Sequence, residues 1–296
     1  MKTLAFVGLG AMGLPMAKNL VNNGFTLRGF DLNTAALETL EAAGGIAADS
    51  AAEAAEGADA LLLMVVNTAQ AEAVLYQDGA LDALPQQAVV CLMATCPVGA
   101  VEALAARVTG SGRHFVDAPV SGGVAGAKAA SLTIMAAAEE AIFQAVRPML
   151  DAIGQRVFHV GERPGQGAVV KTVNQLLCGV HIAVVAEAFA LAAKADIDLN
   201  KLLEIMSGSA AASWMLNDRG PRMLEAMPEV TSAIDIFVKD LGIVLESGRE
   251  AKAALPLAAV AHQLFLAASG RGEGALDDSQ VIRSYYMLNG LTSAKT

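Results

Sequence analysis

The feature that most constrains this chain is a short apolar strand running directly into a glycine pattern. Residues 3–13 read Thr-Leu-Ala-Phe-Val-Gly8-Leu9-Gly10-Ala11-Met12-Gly13. A strand followed by Gly-x-Gly-x-x-Gly suits the pyrophosphate of a dinucleotide, which needs the backbone to come close. Gly8 allows the tight turn after the strand. Gly10 removes a Cβ that would meet the phosphates. Gly13 lets the next helix pack on the sheet with its N-terminal N–H groups aimed at the anion. Glycine is common here, 28 of 296 residues, so the motif says little without its context. That context is a helical stretch over Leu14–Asn22 and a second strand, Thr26-Leu-Arg-Gly-Phe30, which ends at Asp31. Asp31 lies 31 − 8 = 23 residues after the first glycine, near the ~20 expected of a carboxylate that holds the adenosine ribose hydroxyls. A free Asp31 would repel a 2′-phosphate, which favours NAD over NADP. Arg28 argues only weakly for NADP, because it precedes the strand end.

At 296 residues the chain is long enough for two domains, each with its own core. Apolar residues make up 54% and charged residues 17%, a balance that points to surface buried in a homodimer or homotetramer. The formal net charge is −10 and no basic cluster occurs, which argues against nucleic acid as a partner. Uninterrupted apolar runs such as Ala60–Val66 fall far short of a membrane span. Glycines 8, 10 and 13 break what could otherwise resemble a signal peptide. Cys91, Cys96 and Cys178 lack CxxC spacing, so the expectation is a reducing, cytoplasmic setting with no disulfide framework and no zinc or other metal site. His114, His159, His181 and His262 are scattered and form no ligand pair.

Over the first 160 or so residues, strand-like and helix-like segments alternate. The strand candidates are Leu4–Val7, Leu27–Phe30, Ala60–Val66, Ala88–Met93, His114–Val116, Leu132–Ala136 and Val157–Val160. This is the βαβ grammar of an α/β fold, with a Rossmann-type, doubly wound, largely parallel sheet. Turn residues crowd Gly161-Glu-Arg-Pro-Gly165-Gln-Gly167 and mark a boundary, giving domains at 1–163 and 164–296. Beyond it the pattern becomes helical throughout. A long helix from Ala168 to about Lys194 is followed by segments at Leu199–Gly208, Leu241–Lys252, Leu257–Ser269 and Gln280–Leu288.

Three segments carry chemistry. In the long helix, spacings of three, four and seven put Lys171, Asn174, Gln175 and Cys178 on one face of an otherwise apolar element. A lysine whose pKa is lowered by burial could take the proton of an alcohol as hydride leaves. A solvated lysine at a helix start is the plainer reading. In Asp117-Ala-Pro119-Val-Ser121-Gly122-Gly123, a strand end leads into backbone N–H groups that could cradle a carboxylate, with the Ser121 hydroxyl as a further donor. In Asp235-Ile-Phe-Val-Lys239-Asp240-Leu-Gly242, two charges interrupt an apolar helix, where a surface ion pair is the competing reading.

Taken together and in order, GLGAMG at 8–13, DAPVSGG at 117–123, GxGxxxKxxNQ at 165–175 and KDLG at 239–242 resemble the β-hydroxyacid dehydrogenase family over essentially the whole chain. The resemblance implies a Rossmann-type NAD domain joined by a long helix to an all-α substrate and oligomerisation domain, with the site in the cleft. It implies Lys171 as catalytic acid/base. Ser121, Gly122 and Gly123 would hold the substrate carboxylate, and Asn174 and Gln175 a substrate oxygen. Gly8, Leu9, Gly10, Ala11, Met12, Gly13, Asp31, Val65, Val66, Asn67, Thr95 and Lys239 would line the cofactor. The chain departs from the family where many members have Leu-Pro-Asn and it has Val65-Val66-Asn67, and where Ala94 removes a hydroxyl before Thr95. The Val-Val-Asn-x-Ala-Gln segment, with Ser213-Trp214-Met215, looks most like a branch that oxidises C2 of four-carbon sugar acids. His181 and Trp214 are then pocket candidates. Relatives acting on a methyl-branched or a C3 hydroxy acid are the alternative, and a non-catalytic NAD-binding protein the remote one.

Overall fold

The computed structural model describes residues 1–291. The chain divides into two compact units, Met1–Lys171 and Thr172–Thr296. The first holds a nine-stranded sheet: β1 (Thr3–Val7), β2 (Thr26–Phe30), β3 (Ile46–Ala47), β4 (Ala60–Leu63), β5 (Val89–Leu92), β6 (His114–Asp117), β7 (Val120–Ser121), β8 (Leu132–Ala137) and β9 (Gly154–Gly161). Strands β3-β2-β1-β4-β5-β6 run parallel in that spatial order. β8 then pairs antiparallel with β6 and β7 and parallel with β9.

The central strands are apolar along their whole length because both sheet faces are covered. Every residue of β4 and β5 is buried. Alternation sends Leu4, Phe6, Leu62 and Cys91 into one core and Ala5, Val7, Leu61, Leu63, Val90 and Leu92 into the other. This is the expected doubly wound sheet. Two-residue strands such as β3 and β7 are too short to leave a period in the sequence. β4 stops at Leu63 rather than Val66, because Asn67 begins a new helix, Thr68–Glu72, with its side chain accepting from the Gln70 N–H at 2.9 Å.

The long helix spans Gln166–Lys194, 29 residues, or about 44 Å at the usual rise. It is long and apolar enough to cross a membrane by composition alone, yet half of that apolar stretch is buried within the protein, as in a core helix. Val173, Leu177, Val184 and Leu191, at spacings of four and seven, stay exposed along one face.

The second unit is helical among the described residues apart from one isolated bridge, Ala233 to Asp277. Its helices include Leu199–Ser207, Trp214–Met223, Ile234–Glu250, Pro256–Ala268 and Ile282–Leu288. Their core gathers Ile182, Phe189, Leu241 and the stacked pair Phe237 and Phe265, 5.2 Å between ring centres. Helix Trp214–Met223 left no apolar pattern because Gly220, Pro221 and three charged residues interrupt it. Met215, Leu216 and Met223 join the core, and polar contacts fix the helix further. Arg219 grips Asp278 in a two-point contact, Nε to Oδ1 and Nη2 to Oδ2, both 2.8 Å, and Arg222 Nη1 reaches Asp277 Oδ2 at 2.8 Å.

Candidate functional site

The three fingerprint glycines do three different jobs. Gly8 has φ +96°, and a Cβ there would lie 2.5 Å from the Met64 carbonyl oxygen. At Gly13 a Cβ would fall 1.8 Å from the Gly8 carbonyl oxygen, so the helix Gly13–Asn22 can seat on the turn only without a side chain. At Gly10 a Cβ would meet no protein atom within 4 Å. Packing does not demand glycine there, and the bare backbone it leaves is what an approaching pyrophosphate requires.

Asp31, at the end of β2, closes this turn. Its Oδ2 accepts from the Leu9 N–H at 2.6 Å and its Oδ1 from the Asn33 N–H at 2.8 Å. The carboxylate is therefore engaged, not free as the sequence suggested. It still carries lone pairs for ribose hydroxyls, and its charge still opposes a 2′-phosphate. Arg28 is turned away, with its guanidinium on the carbonyls of Glu53 and Glu56. Val65, Val66 and Asn67 follow β4, on the other side of β1 from β2 but at the same C-terminal end of these parallel strands. The Asn67 oxygen caps the next helix, and Gln70 Oε1 returns to accept from the Val66 N–H at 2.8 Å, so both polar residues of the Val-Val-Asn-x-Ala-Gln signature build a local capping box. Thr95, half-buried, lies in the turn between β5 and helix Val98–Gly110. These residues fit a dinucleotide: a backbone cradle, a carboxylate beside it, and strand-end turns around it.

Ser121 ends β7 and is followed by Gly122 and Gly123, with φ +133° and +61°, a turn that L side chains rarely adopt. Lys171 is buried on the long helix, one turn past its start. Asp117 links the two segments. Its Oδ2 accepts from the N–H groups of Gly165 and Ala168, both at 2.9 Å, at the N-terminal end of the Lys171 helix. Gly167 is there because a Cβ would lie 2.5 Å from the Met135 carbonyl oxygen and 2.7 Å from that of Asp117. Lys171 is thus fixed with respect to a strand four residues upstream of Ser121. Burial pushes the Asp117 carboxyl up to about 6, against the lowering effect of those backbone donors. Burial also pushes the nearby Cys91 thiol up to about 12, with the charge of Asp117 acting in the same direction, so Cys91 is an inert core residue. The anchoring role of Asp117 was not read from the sequence. The signal was present, as an acid closing an otherwise apolar strand.

In the second unit Gln175 meets the Lys239-Asp240 pair, and Asn174 Nδ2 donates to Gln175 Oε1 at 2.8 Å. Gln175 Nε2 donates to Asp240 Oδ2 at 2.5 Å, and Asp240 Oδ1 is 2.8 Å from Lys239 Nζ. Gly179 makes this approach possible, since a Cβ would lie 2.7 Å from Leu241 Cδ2. Asp240 is 3% exposed, so the surface ion pair considered from sequence is instead a buried one on the Asp240 side. His181 is half-buried seven residues beyond Asn174, and Trp214 is exposed at the first turn of its helix.

A model of the NAD-binding domain of 6-phosphogluconate dehydrogenase matches residues 3–161, and one described as the NAD-binding domain of NADP-dependent 3-hydroxyisobutyrate dehydrogenase matches residues 165–285. L-threonate dehydrogenase of Cupriavidus necator is 41% identical over 285 residues, 96% of each chain. A crystal structure of 3-hydroxyisobutyrate dehydrogenase from Salmonella typhimurium superposes with a TM-score of 0.91 at 39% identity, covering 96% of this chain and 99% of that one. The Mycobacterium tuberculosis 3-hydroxyisobutyrate dehydrogenase solved with L-serine superposes with a TM-score of 0.82 at 29% identity, covering 96% and 99%. With a dinucleotide turn at one end, a buried lysine on the long helix and relatives aligned from end to end, the chain belongs to the β-hydroxyacid dehydrogenase family related to 3-hydroxyisobutyrate dehydrogenase, as an NAD-dependent oxidoreductase acting on the CH–OH group of a hydroxy acid.

Proposed function

We propose that this enzyme oxidises L-threonate, or a close four-carbon sugar acid, at C2 to the 2-oxo acid. The observation that supports the catalytic part is the Asp117 bond to the start of the long helix, which ties the element carrying buried Lys171 to the strand that precedes the Ser121-Gly122-Gly123 turn. Bound NAD supplies the hydride acceptor. Ser121, Gly122 and Gly123 hold the substrate carboxylate, which orients the carbinol carbon. Lys171 takes the proton of the hydroxyl being oxidised and returns it in the reverse direction, so catalysis combines positioning with general-base action. Asn174 and Gln175 address a substrate oxygen, and Lys239 serves the cofactor side.

The substrate reading is supported by several L-threonate dehydrogenases between 39% and 41% identical. Similar identity to a structure named 3-hydroxyisobutyrate dehydrogenase, and 32% identity to the 2-hydroxy-3-oxopropionate reductase of Escherichia coli, make those acids the comparators. The exposed apolar face of the long helix supports a homodimer or homotetramer. Nothing in the charge pattern suits a nucleic acid, and the setting we assign is cytoplasmic. Initial rates with NAD and NADP on L-threonate, D-erythronate, 3-hydroxyisobutyrate, glycerate and L-serine test this reading. We expect the highest kcat/KM with L-threonate and NAD. Turnover confined to 3-hydroxyisobutyrate would refute it.

A further inference from the structure

Two turns of the first unit are tied to one helix. Helix Gly13–Asn22 is seated on the dinucleotide turn, since a Cβ at Gly13 would strike the Gly8 carbonyl oxygen. Further along it, Asn19 Nδ2 donates to the Ala127 carbonyl oxygen at 2.7 Å, across 108 residues of chain. A carbonyl oxygen only accepts, so Nδ2 is the end of the amide that must face it. Ala127 belongs to the last turn of helix Gly123–Lys128, whose first residue is the second glycine of the Ser121-Gly122-Gly123 turn. Carbonyls in a last turn find no N–H four residues on within the helix, so they take donors from elsewhere. This helix has six residues, too few to keep its shape without neighbours. Some of that support is apolar. A Cβ at Gly122 or at Gly126 would lie 3.2 Å from Leu132 Cδ2, so the short helix rests close on β8. Met16, Ala17 and Leu20 of the first helix share a core with Val120, Ala127 and Leu132. Apolar contact holds the helices together but has no direction, and the Asn19 bond supplies one.

We propose that Asn19 is a positioning residue, which fixes helix Gly123–Lys128 on the helix of the dinucleotide turn and so sets where the acid's carboxylate is held relative to the cofactor. The proposal rests on Ser121, Gly122 and Gly123 binding that carboxylate, as in the function given above. Asn19 acts through the Ala127 carbonyl, at the far end of the short helix from the turn. Hydride transfer needs the carbinol carbon and the nicotinamide in near-attack geometry. A slip of about 1 Å between the two turns can therefore cost about a hundredfold in rate.

Asn19→Leu and Asn19→Asp keep a similar bulk and remove the donor. For the acid of highest kcat/KM in the panel above, each variant should lower kcat/KM about ten- to a hundredfold, while the Kd for NAD stays within about twofold of wild type. Asn19→Gln keeps an amide donor and should lose less. A purely structural role lowers Tm without this split between acid and cofactor. Hydrogen exchange needs no substrate. In Asn19→Leu and Asn19→Asp, amides over 123–131 should exchange about five- to tenfold faster, and those over 13–22 at the wild-type rate. Wild-type kcat/KM in both variants, NAD affinity falling in step with kcat/KM, or unchanged exchange over 123–131 would each overturn the proposal. Gly122→Ala tests the reading beneath it, because an alanine at φ +133° distorts the turn itself. If none of the panel acids is oxidised, or Gly122→Ala leaves the acid's KM at its wild-type value, the function above fails. Exchange over 123–131 then still decides whether Asn19 holds the short helix.

Discussion

Among the described residues, Met1–Lys171 buries Asp117 and Lys171 as its polar side chains, whereas Thr172–Thr296 buries Gln175, Arg219, Asp240, Asp277, Asp278 and several neutral polar groups. The sheet half satisfies its polar backbone largely through parallel ladders, and its tightest turns, at Gly8 and Gly13, depend on residues with no side chain. The helical half has no ladders to connect one helix to the next. It joins elements remote in sequence through side-chain charges, as Arg219 does with Asp278 and Gln175 with Asp240. Function in the first half is therefore written in short motifs, and in the second half in pairs 59 and 65 residues apart.

The largest effect tests the role proposed for buried Lys171 in the sheet half. Lys171→Ala should lower kcat by about 10²–10⁴ with NAD affinity nearly unchanged. Steady-state rates and cofactor titration measure both, and an unchanged kcat removes Lys171 from the mechanism.

Next comes the charge cluster of the helical half. Arg219→Met strands Asp278 in the core and should destabilise the protein by about 3–5 kcal/mol, while Arg219→Met with Asp278→Leu should recover much of the loss. Urea unfolding of the two variants decides whether the network is held by pairing, as the comparison requires.

Asp117 gives a smaller effect with a defined sign. Its folded pKa is raised from the ordinary 3.8 to about 6 by burial, so the folded protein binds this proton more tightly than the unfolded chain. The stability it contributes is fully present below 3.8 and is lost as pH rises through about 6, amounting to at most about 3 kcal/mol. Asp117→Asn should flatten the change in urea midpoint between pH 5 and pH 7.5. An equally steep change in the variant would assign the pH dependence to other groups.

The smallest effects separate the glycines. Gly13→Ala forces a methyl onto the Gly8 carbonyl and should destabilise by about 1–3 kcal/mol. Gly10→Ala meets no protein atom, so Tm should barely move while NAD affinity falls. Loss of stability at Gly10 would mean that the turn, rather than the cofactor, requires its glycine.

The doubly wound, largely parallel sheet and the glycine turn after β1 were legible in the sequence because each rests on local periodicity or on residues within one βαβ unit, whereas the strand order was not. Asp31 was legible by spacing, but its contact with the Leu9 N–H was not, since a bond depends on how two strand ends are cut. Helix Trp214–Met223 was hidden because Gly220, Pro221 and three charged residues interrupt its few apolar positions, and a search for apolar stripes discards the charged contacts that help hold it. Asp240 looked like half of a surface pair because a single charge in an apolar helix reads the same whether its partner is water or Gln175.

By itself, the sequence determined that a strand runs into the Gly8-x-Gly10-x-x-Gly13 turn, that a lysine and two amides share one helix face, and which family these motifs belong to. Such features are encoded within a few residues, where chain connectivity sets the geometry. Tertiary structure alone decided that Asp117 anchors the start of the Lys171 helix and that Gln175 meets Asp240. Both contacts join residues 48 and 65 apart in the chain, a separation that local propensity and periodicity do not encode.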